Sequence, residues 1–142
     1  MDCLWKLQIP RSTDSTIVIR PSGKCFVTGV APSYEIKYDV NRLQDYITIN
    51  DYAYIMTQIN ETIHRYWPCQ FAIWFGYLLA PFTLGLSFMA PNLCIKDAKE
   101  GLKNCIEKNN RIRLKEKGLK MSYRQGCLTS WLEIEIETVK KI

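Results

Sequence analysis

Residues 66–95 read YWPCQFAIWFGYLLAPFTLGLSFMAPNLCI, thirty consecutive positions without a charged side chain. A transmembrane helix needs about 20 apolar residues, so this block suffices for one span but not for two spans and a turn. Pro81 lies near its middle, between Gly76 and Gly85, and proline interrupts a continuous helix. The block therefore predicts a single kinked span or a re-entrant helical hairpin. A buried hairpin in the core of a soluble protein is the third interpretation.

The two flanking segments favour the hairpin. A span would place residues 1–65 and 96–142 on opposite sides of a membrane, where pieces of that size are marginal as independent domains. A hairpin lets them share one sheet and one core. We therefore predict an α+β fold in which a small antiparallel sheet and two main helices flank an apolar, membrane-inserting re-entrant helical hairpin. Residues 1–15 are predicted to be a polar lead-in, and residues 16–142 a single domain containing the apolar segment 66–95.

Local patterns predict the strands of this sheet. Residues 16–30 contain two β-branched runs around a Pro-Ser-Gly turn, which indicates a hairpin, and residues 34–39 indicate a weaker third strand. A short strand is expected around residues 121–123. A long strand is predicted over residues 128–139, because Leu and Ile alternate with Glu over residues 132–137, a period of two that is typical of a strand with one buried face.

Two helices flank the apolar block. Thr48 is a good N-cap, and Asp51 follows three positions later, as in a capping box. From there apolar residues recur at helical spacing up to Trp67. A second helix is predicted over residues 93–116, with Gly118 suited to its C-terminal cap.

The positive charge follows the apolar block. Residues 1–65 hold seven basic and seven acidic side chains, whereas residues 96–142 hold twelve basic and seven acidic ones, which accounts for the net charge of +5. A basic cluster beside an apolar stretch predicts contact with anionic lipid headgroups. A nucleic-acid site would explain the basic cluster but not the uncharged block, and a solvated helix face is the plainest alternative. The predicted electrostatic set is Lys108, Arg111, Arg113, Lys115 and Lys117.

The chain offers no catalytic pattern. Its six cysteines are widely spaced, without a CxxC pair, and His64 is its only histidine. A catalytic histidine needs an orienting partner and a nucleophile, and zinc sites need clustered ligands. The glutamates of residues 133–137 are more typical of a solvated or ion-paired strand face than of a metal site. We predict no catalytic residue, no metal and no cofactor.

The order of these motifs resembles a known family. Five motifs follow one another along the chain: the predicted hairpin IVIRPSGK at residues 17–24, the predicted helix 48–65, Thr83-Leu84-Gly85, EKNNR at residues 107–111, and the predicted strand WLEIEI at 131–136. This order resembles the cysteine-rich hydrophobic domain (CHIC) proteins. It is more distantly similar to golgin subfamily A member 7 and to the accessory subunit of Ras palmitoyltransferase. The resemblance covers residues 16–138.

The resemblance implies a function. Its members are non-catalytic proteins attached to the cytosolic face of Golgi, endoplasmic reticulum, vesicle or plasma membranes, and some stabilise a DHHC-type protein S-acyltransferase. It therefore implies a regulatory subunit of such an enzyme, with an integral-membrane protein and anionic bilayers as partners and no nucleic acid. The alternative is a structural accessory subunit of a large integral-membrane complex that reuses this fold.

Members of the family are S-acylated in the apolar block, which here makes Cys69 and Cys94 the lipidation candidates. This chain departs from the pattern because Leu, Phe and Trp replace the cysteine string over residues 71–89. We therefore expect side chains to replace acyl chains as the anchor. The expected membrane or partner contacts are Trp67, Phe71, Trp74, Phe75, Leu78, Phe82, Phe88 and Met89.

Overall fold

The computed structural model of the chain describes residues 8–25, 28–68 and 70–137, with only the backbone described for residues 70–72, 88, 90 and 91. Over these residues the fold is α+β, with a small antiparallel sheet, as predicted. The strands are β1 (Thr16–Ile19), β2 (Pro21–Ser22), β3 (Ser33–Tyr34), β4 (Leu119–Gln125) and β5 (Ser130–Ile136). The helices are α1 (Val40–Leu43), α2 (Ile49–Tyr66), α3 (Gln70–Leu79) and α4 (Met89–Asn109).

The main sheet joins the two ends of the chain. Its strand order is β1-β5-β4, and both pairs are antiparallel. The predicted alternation of β5 is confirmed, because Leu132 and Ile134 are buried while Glu133 and Glu135 lie on the opposite face. There the Arg124 guanidinium pairs with both carboxylates, at 3.0 Å from Glu133 and 3.7 Å from Glu135.

The hairpin predicted over residues 16–30 is wrong in its pairing. β1 pairs with β5, and β2 pairs with β3. Cys25 and residues 28–30 lie outside any strand, and residues 26 and 27 lie outside the described part of the chain. Of the strand predicted over 34–39, Tyr34 alone is extended in a sheet. The buried side chains of β1 pack in the same core as Leu132 and Ile134 of β5. The turn residues next to β1 in the sequence do not reveal this choice of partner strand.

α2 begins and ends close to its predicted limits, whereas the second long helix begins four residues before the predicted start at residue 93. The Thr48 hydroxyl accepts a hydrogen bond from the Asp51 amide at 3.2 Å and caps α2. The second helix begins at Met89 and continues beyond α4 through a π-helical turn (Asn110–Leu114) and a 3₁₀ turn (Lys115–Lys117). Gly118 has φ +67°, the left-handed conformation in which glycine ends a helix without steric cost.

The core lies between the sheet and an antiparallel pair of helices. Gln58 of α2 meets Asn109 of α4, and Tyr66 at the end of α2 lies against Gly101. Side chains from the segments before and after the apolar block therefore fill one core. Its largest fully buried members are Tyr34, Tyr52, Leu43, Ile55, Met56, Ile59, Ile63, Leu102, Leu114, Met121 and Leu132.

Two asparagine side chains fasten the helices to the strands. Asn60 of α2 accepts from the Tyr34 amide (2.8 Å) and donates to the Tyr34 carbonyl (3.0 Å). Asn110, just after α4, does the same for Met121, at 2.8 and 2.7 Å. The side-chain amide of each asparagine thus takes the place of a neighbouring strand. It satisfies backbone groups that have no partner strand on that side.

Replacing Asn110 should loosen the attachment of α4 to β4. In Asn110→Ala the amide and carbonyl of Met121 lose their partners, and we expect a loss of about 1–3 kcal/mol in the free energy of unfolding. Urea denaturation followed by circular dichroism measures this loss. The matched control is Asn104→Ala on the exposed side of α4, which should change stability by less than about 0.5 kcal/mol. Equal effects of the two variants would contradict this role of Asn110.

Candidate functional site

The apolar block forms a helical hairpin. We define the apolar hairpin as residues 70–93: α3, a turn over residues 80–85, a 3₁₀ turn (Leu86–Phe88) and the start of α4. Pro81 lies in the turn, after the last residue of α3, so the predicted interruption is confirmed. The Ser87 hydroxyl joins the arms by donating to the Gly76 carbonyl at 2.8 Å. A side chain at buried Gly76 would be in contact with the Ser87 carbonyl oxygen.

The polar groups of the turn bond to its own backbone. The Thr83 hydroxyl donates to the Leu79 carbonyl at 3.0 Å and accepts from the Ser87 amide at 3.2 Å. The Gly85 amide donates to the Ala80 carbonyl at 3.0 Å. Gly85 has φ +87° and Leu84 has φ +52°, a conformation that is uncommon for a residue other than glycine. The turn therefore satisfies these groups without water, while Leu84 is held in an unfavourable conformation.

The hairpin points its large apolar side chains outward. Trp74 is 72% exposed, Phe75 59%, Phe82 83%, and Leu78 and Met89 are also exposed. Trp67, at the base, is half-buried. Isolated exposed apolar residues are ordinary, but a contiguous patch of this kind marks an interaction surface. The structure thus brings Trp74, Phe75, Leu78, Phe82 and Met89 together on the hairpin, whereas Trp67 packs against the core.

Sequence reasoning missed the most exposed member of this surface. Leu84 is 95% exposed, and Tyr77, Leu86 and Leu93 are exposed as well. All four lie in the same uncharged block, but the sequence alone does not show which of its side chains face outward. Of the remaining predictions, Cys69 and the side chains of Phe71 and Phe88 lie outside the described part of the structure. The second lipidation candidate, Cys94, is half-buried in α4.

Both arms of the hairpin start from the same side of the folded body. α2 and α4 run antiparallel, with Tyr66 at the end of α2 against Gly101 of α4, so the chain leaves the body and returns to it at the same end. Among the helices of the described residues, none combines the length and the apolar character needed to cross a bilayer.

The predicted electrostatic set divides into two groups. Arg113 and Lys117 form ion pairs with Asp51, at 3.7 and 2.8 Å, and the Arg113 guanidinium also lies 4.5 Å from the centre of the Tyr54 ring. Lys108, Arg111 and Lys115 are exposed. These three form no ion pair with any residue that the structure describes.

Distance separates the cationic end from the hairpin. Lys108 follows Met89, the first residue of α4, by nineteen positions. A helix rises about 1.5 Å per residue, so the two lie about 28 Å apart along the axis. The positions closest to the hairpin that carry charge are Arg65 and Lys96, both exposed.

Asp51 is the electrostatic centre of the cationic end. The hydrogen bond from the Lys117 ammonium, together with that to Thr48, holds the pKa of the Asp51 carboxyl below its ordinary value of 3.8. The position of Asp51 in the first turn of α2 also suits a negative charge, since helix N-termini are electropositive. The geometry makes Arg113 and Lys117 structural partners of Asp51.

A comparison of the chain with models of protein families found no match, and a comparison with curated proteins found none either. The candidate site is therefore interpreted from its own geometry.

Removing the Asp51 carboxylate should change how stability depends on pH. Because the pKa of Asp51 is lowered in the folded state, its ion pairs contribute stability at pH values above its ordinary pKa. That contribution is lost as the pH falls through the folded-state pKa. We therefore expect Asp51→Asn to have a lower Tm than the parent protein near neutral pH. The difference should shrink as the pH falls below 3.8.

Differential scanning calorimetry from pH 2 to pH 7 provides the measurement. Asp45→Asn is the control, since Asp45 is exposed and has no ion pair among the described residues. A Tm difference for Asp51→Asn that is independent of pH would contradict the role given to its carboxylate.

Proposed function

We propose that this protein is a non-catalytic accessory subunit that is attached to its membrane by the apolar hairpin. The observation that carries the proposal is the orientation of the hairpin's side chains. Leu84 and Phe82 at its tip are almost fully exposed, while Thr83 and Ser87 bond to backbone carbonyls of the hairpin. This is the arrangement required where no water is present to satisfy polar groups.

The proposed partner is an integral-membrane protein, and a DHHC-type S-acyltransferase is the first candidate. The resemblance to the CHIC family supports this candidate. In such a complex the accessory subunit would stabilise the enzyme by binding only its folded form, and catalysis would remain with the enzyme. On this proposal the protein resides at a cytosolic membrane face such as that of the Golgi.

A structural subunit of a large integral-membrane complex is the second candidate. Within the apolar hairpin no cysteine occurs between Cys69 and Cys94, and Cys94 is half-buried. A subunit that is anchored by side chains needs no cycle of acylation and deacylation. A single acyl chain gives only marginal membrane binding by itself, so loss of the cysteine string favours permanent attachment through the hairpin.

Carboxylates at the hairpin tip should abolish membrane binding. A charged side chain at bilayer depth costs about 3 kcal/mol, so Phe82→Glu combined with Leu84→Glu should lower partitioning into lipid vesicles more than a hundredfold. Flotation of the purified protein with phosphatidylcholine vesicles measures this change. Because both side chains are exposed, the variant should retain the circular dichroism spectrum of the parent.

The matched control places two carboxylates elsewhere. Val40 and Ile112 are also exposed but lie outside the hairpin, so Val40→Glu with Ile112→Glu changes the net charge equally. We expect this variant to float with the vesicles like the parent. If the parent protein itself fails to float, membrane attachment through the hairpin is wrong.

Affinity purification in mild detergent, followed by mass spectrometry, distinguishes the two proposed partners. A DHHC acyltransferase at near-stoichiometric yield is expected for the first candidate. A set of other membrane subunits without such an enzyme supports the second. The Phe82→Glu, Leu84→Glu variant should lose the partner in either case. Retention of the partner by this variant would show that the hairpin is not the contact.

A further inference from the structure

Apolar side chains surround the hairpin on its outer faces and tip. Successive residues of a helix are rotated by about 100° around its axis. The exposed side chains of α3 therefore span roughly 200° of the helix circumference, with Tyr77 at one edge of this arc and Leu79 at the other. Trp74 lies within the arc. The second arm exposes Leu86 and Met89. A hairpin lying flat in the headgroup layer would bury only one side of each arm and leave part of this apolar surface in water. Insertion along the hairpin axis removes both arms and the tip from water together.

The length of the hairpin limits its depth. α3 has ten residues and is therefore about 15 Å long, which is half of the roughly 30 Å hydrocarbon thickness. An upright hairpin of this length ends near the bilayer midplane. Both arms begin at the same end of the body because α2 and α4 run antiparallel, with Tyr66 at the end of α2 against Gly101 of α4, so the element enters and leaves through one surface.

An upright hairpin fixes which charges meet the lipid headgroups. Arg65 is the last charged residue before the apolar block and Lys96 the first after it, and both are exposed. Tyr66 is exposed between them at the end of α2, as is common for aromatic residues at the membrane surface. Long basic side chains reach the headgroups from such positions, although Asp97 and Glu100 nearby reduce the net attraction.

The cationic end of α4 points away from such a membrane. Lys108 follows Lys96 by twelve positions and lies about 18 Å farther along the helix axis, whereas electrostatic attraction to the lipid surface decays over a Debye length of about 8 Å in physiological salt. Arg111 and Lys115 lie farther along the chain. At that distance none of the three exposed cations contributes to lipid binding.

We infer that the apolar hairpin inserts upright into a single leaflet, with Arg65 and Lys96 as its anionic-lipid contacts and Lys108, Arg111 and Lys115 held clear of the bilayer. This inference rests on the proposed membrane attachment and adds its depth and orientation.

Depth-dependent quenching tests the orientation. The probes are vesicles whose acyl chains are brominated either near the headgroup or near the methyl end. The emission of Trp74 is obtained by comparison with Trp74→Phe, and the tip is probed by adding Leu84→Trp to that variant. We expect headgroup-end bromines to quench Trp74 more strongly and methyl-end bromines to quench the tip more strongly. Equal depths for the two positions would indicate a flat hairpin and overturn the inference.

Paired charge variants test the lipid contacts. Arg65→Gln with Lys96→Gln removes the two cations at the base, and Lys108→Gln with Arg111→Gln removes two at the far end. With vesicles rich in phosphatidylserine, we expect the first pair to lower partitioning by roughly tenfold or more and the second to leave it unchanged. With phosphatidylcholine vesicles neither pair should have an effect.

The outcomes separate the inference from the function on which it rests. A loss of binding to phosphatidylserine vesicles with Lys108→Gln, Arg111→Gln would overturn the orientation while membrane attachment stands. An unchanged affinity for Arg65→Gln, Lys96→Gln would overturn the assignment of the headgroup contacts. If the parent protein binds neither vesicle type, the membrane attachment itself is wrong.

Discussion

The pairing of β1 with β5 is the constraint on which the rest of the structure depends. These strands lie on either side of the uncharged block, and their register sets Ile17 opposite Ile134 and Ile19 opposite Leu132. All four side chains are buried in the common core. Closing such a long loop adds little entropy cost beyond that of a shorter one, whereas two separate cores of this size would be marginal. The apolar block is therefore forced to leave the body and return to it.

Much of the secondary structure could be predicted from local chemistry, but the strand partners could not. Thr48 and Asp51 mark the start of α2, Gly118 marks the end of the helical segment after α4, and the Leu/Ile–Glu alternation marks β5. In contrast, the turn at residues 21–24 favours a hairpin between its neighbours. β1 instead joins a strand more than a hundred residues away, because register and partner depend on which apolar faces complete the core. No local pattern encodes that choice.

In the candidate site, too, local features could be predicted from the sequence, but contacts between distant residues could not. The absence of charge over residues 66–95 predicted an apolar element, and Pro81 predicted where it turns. The contribution of Ser87, which bonds the two arms together, depends on its distance from Gly76 and could not be read from spacing. The dense run of cations was equally visible in the sequence. That Arg113 and Lys117 pair with Asp51 was hidden, since the carboxylate is over sixty residues distant along the chain.

The position of these groups along α4 gives the protein two ends with different chemistry. One end carries the apolar hairpin, and the other carries cations of which two are used to fix the start of α2. If the hairpin inserts in a membrane, the intervening helix pair acts as a spacer of about 18 Å between Lys96 and Lys108, because α2 and α4 are packed through buried Ile59, Ile63 and Leu102. A spacer of that length, with both flanks on one side, exposes the far end to proteins in the aqueous phase. On the proposed function, the hairpin would hold the subunit in its membrane, and the three exposed cations at the other end would face the aqueous phase.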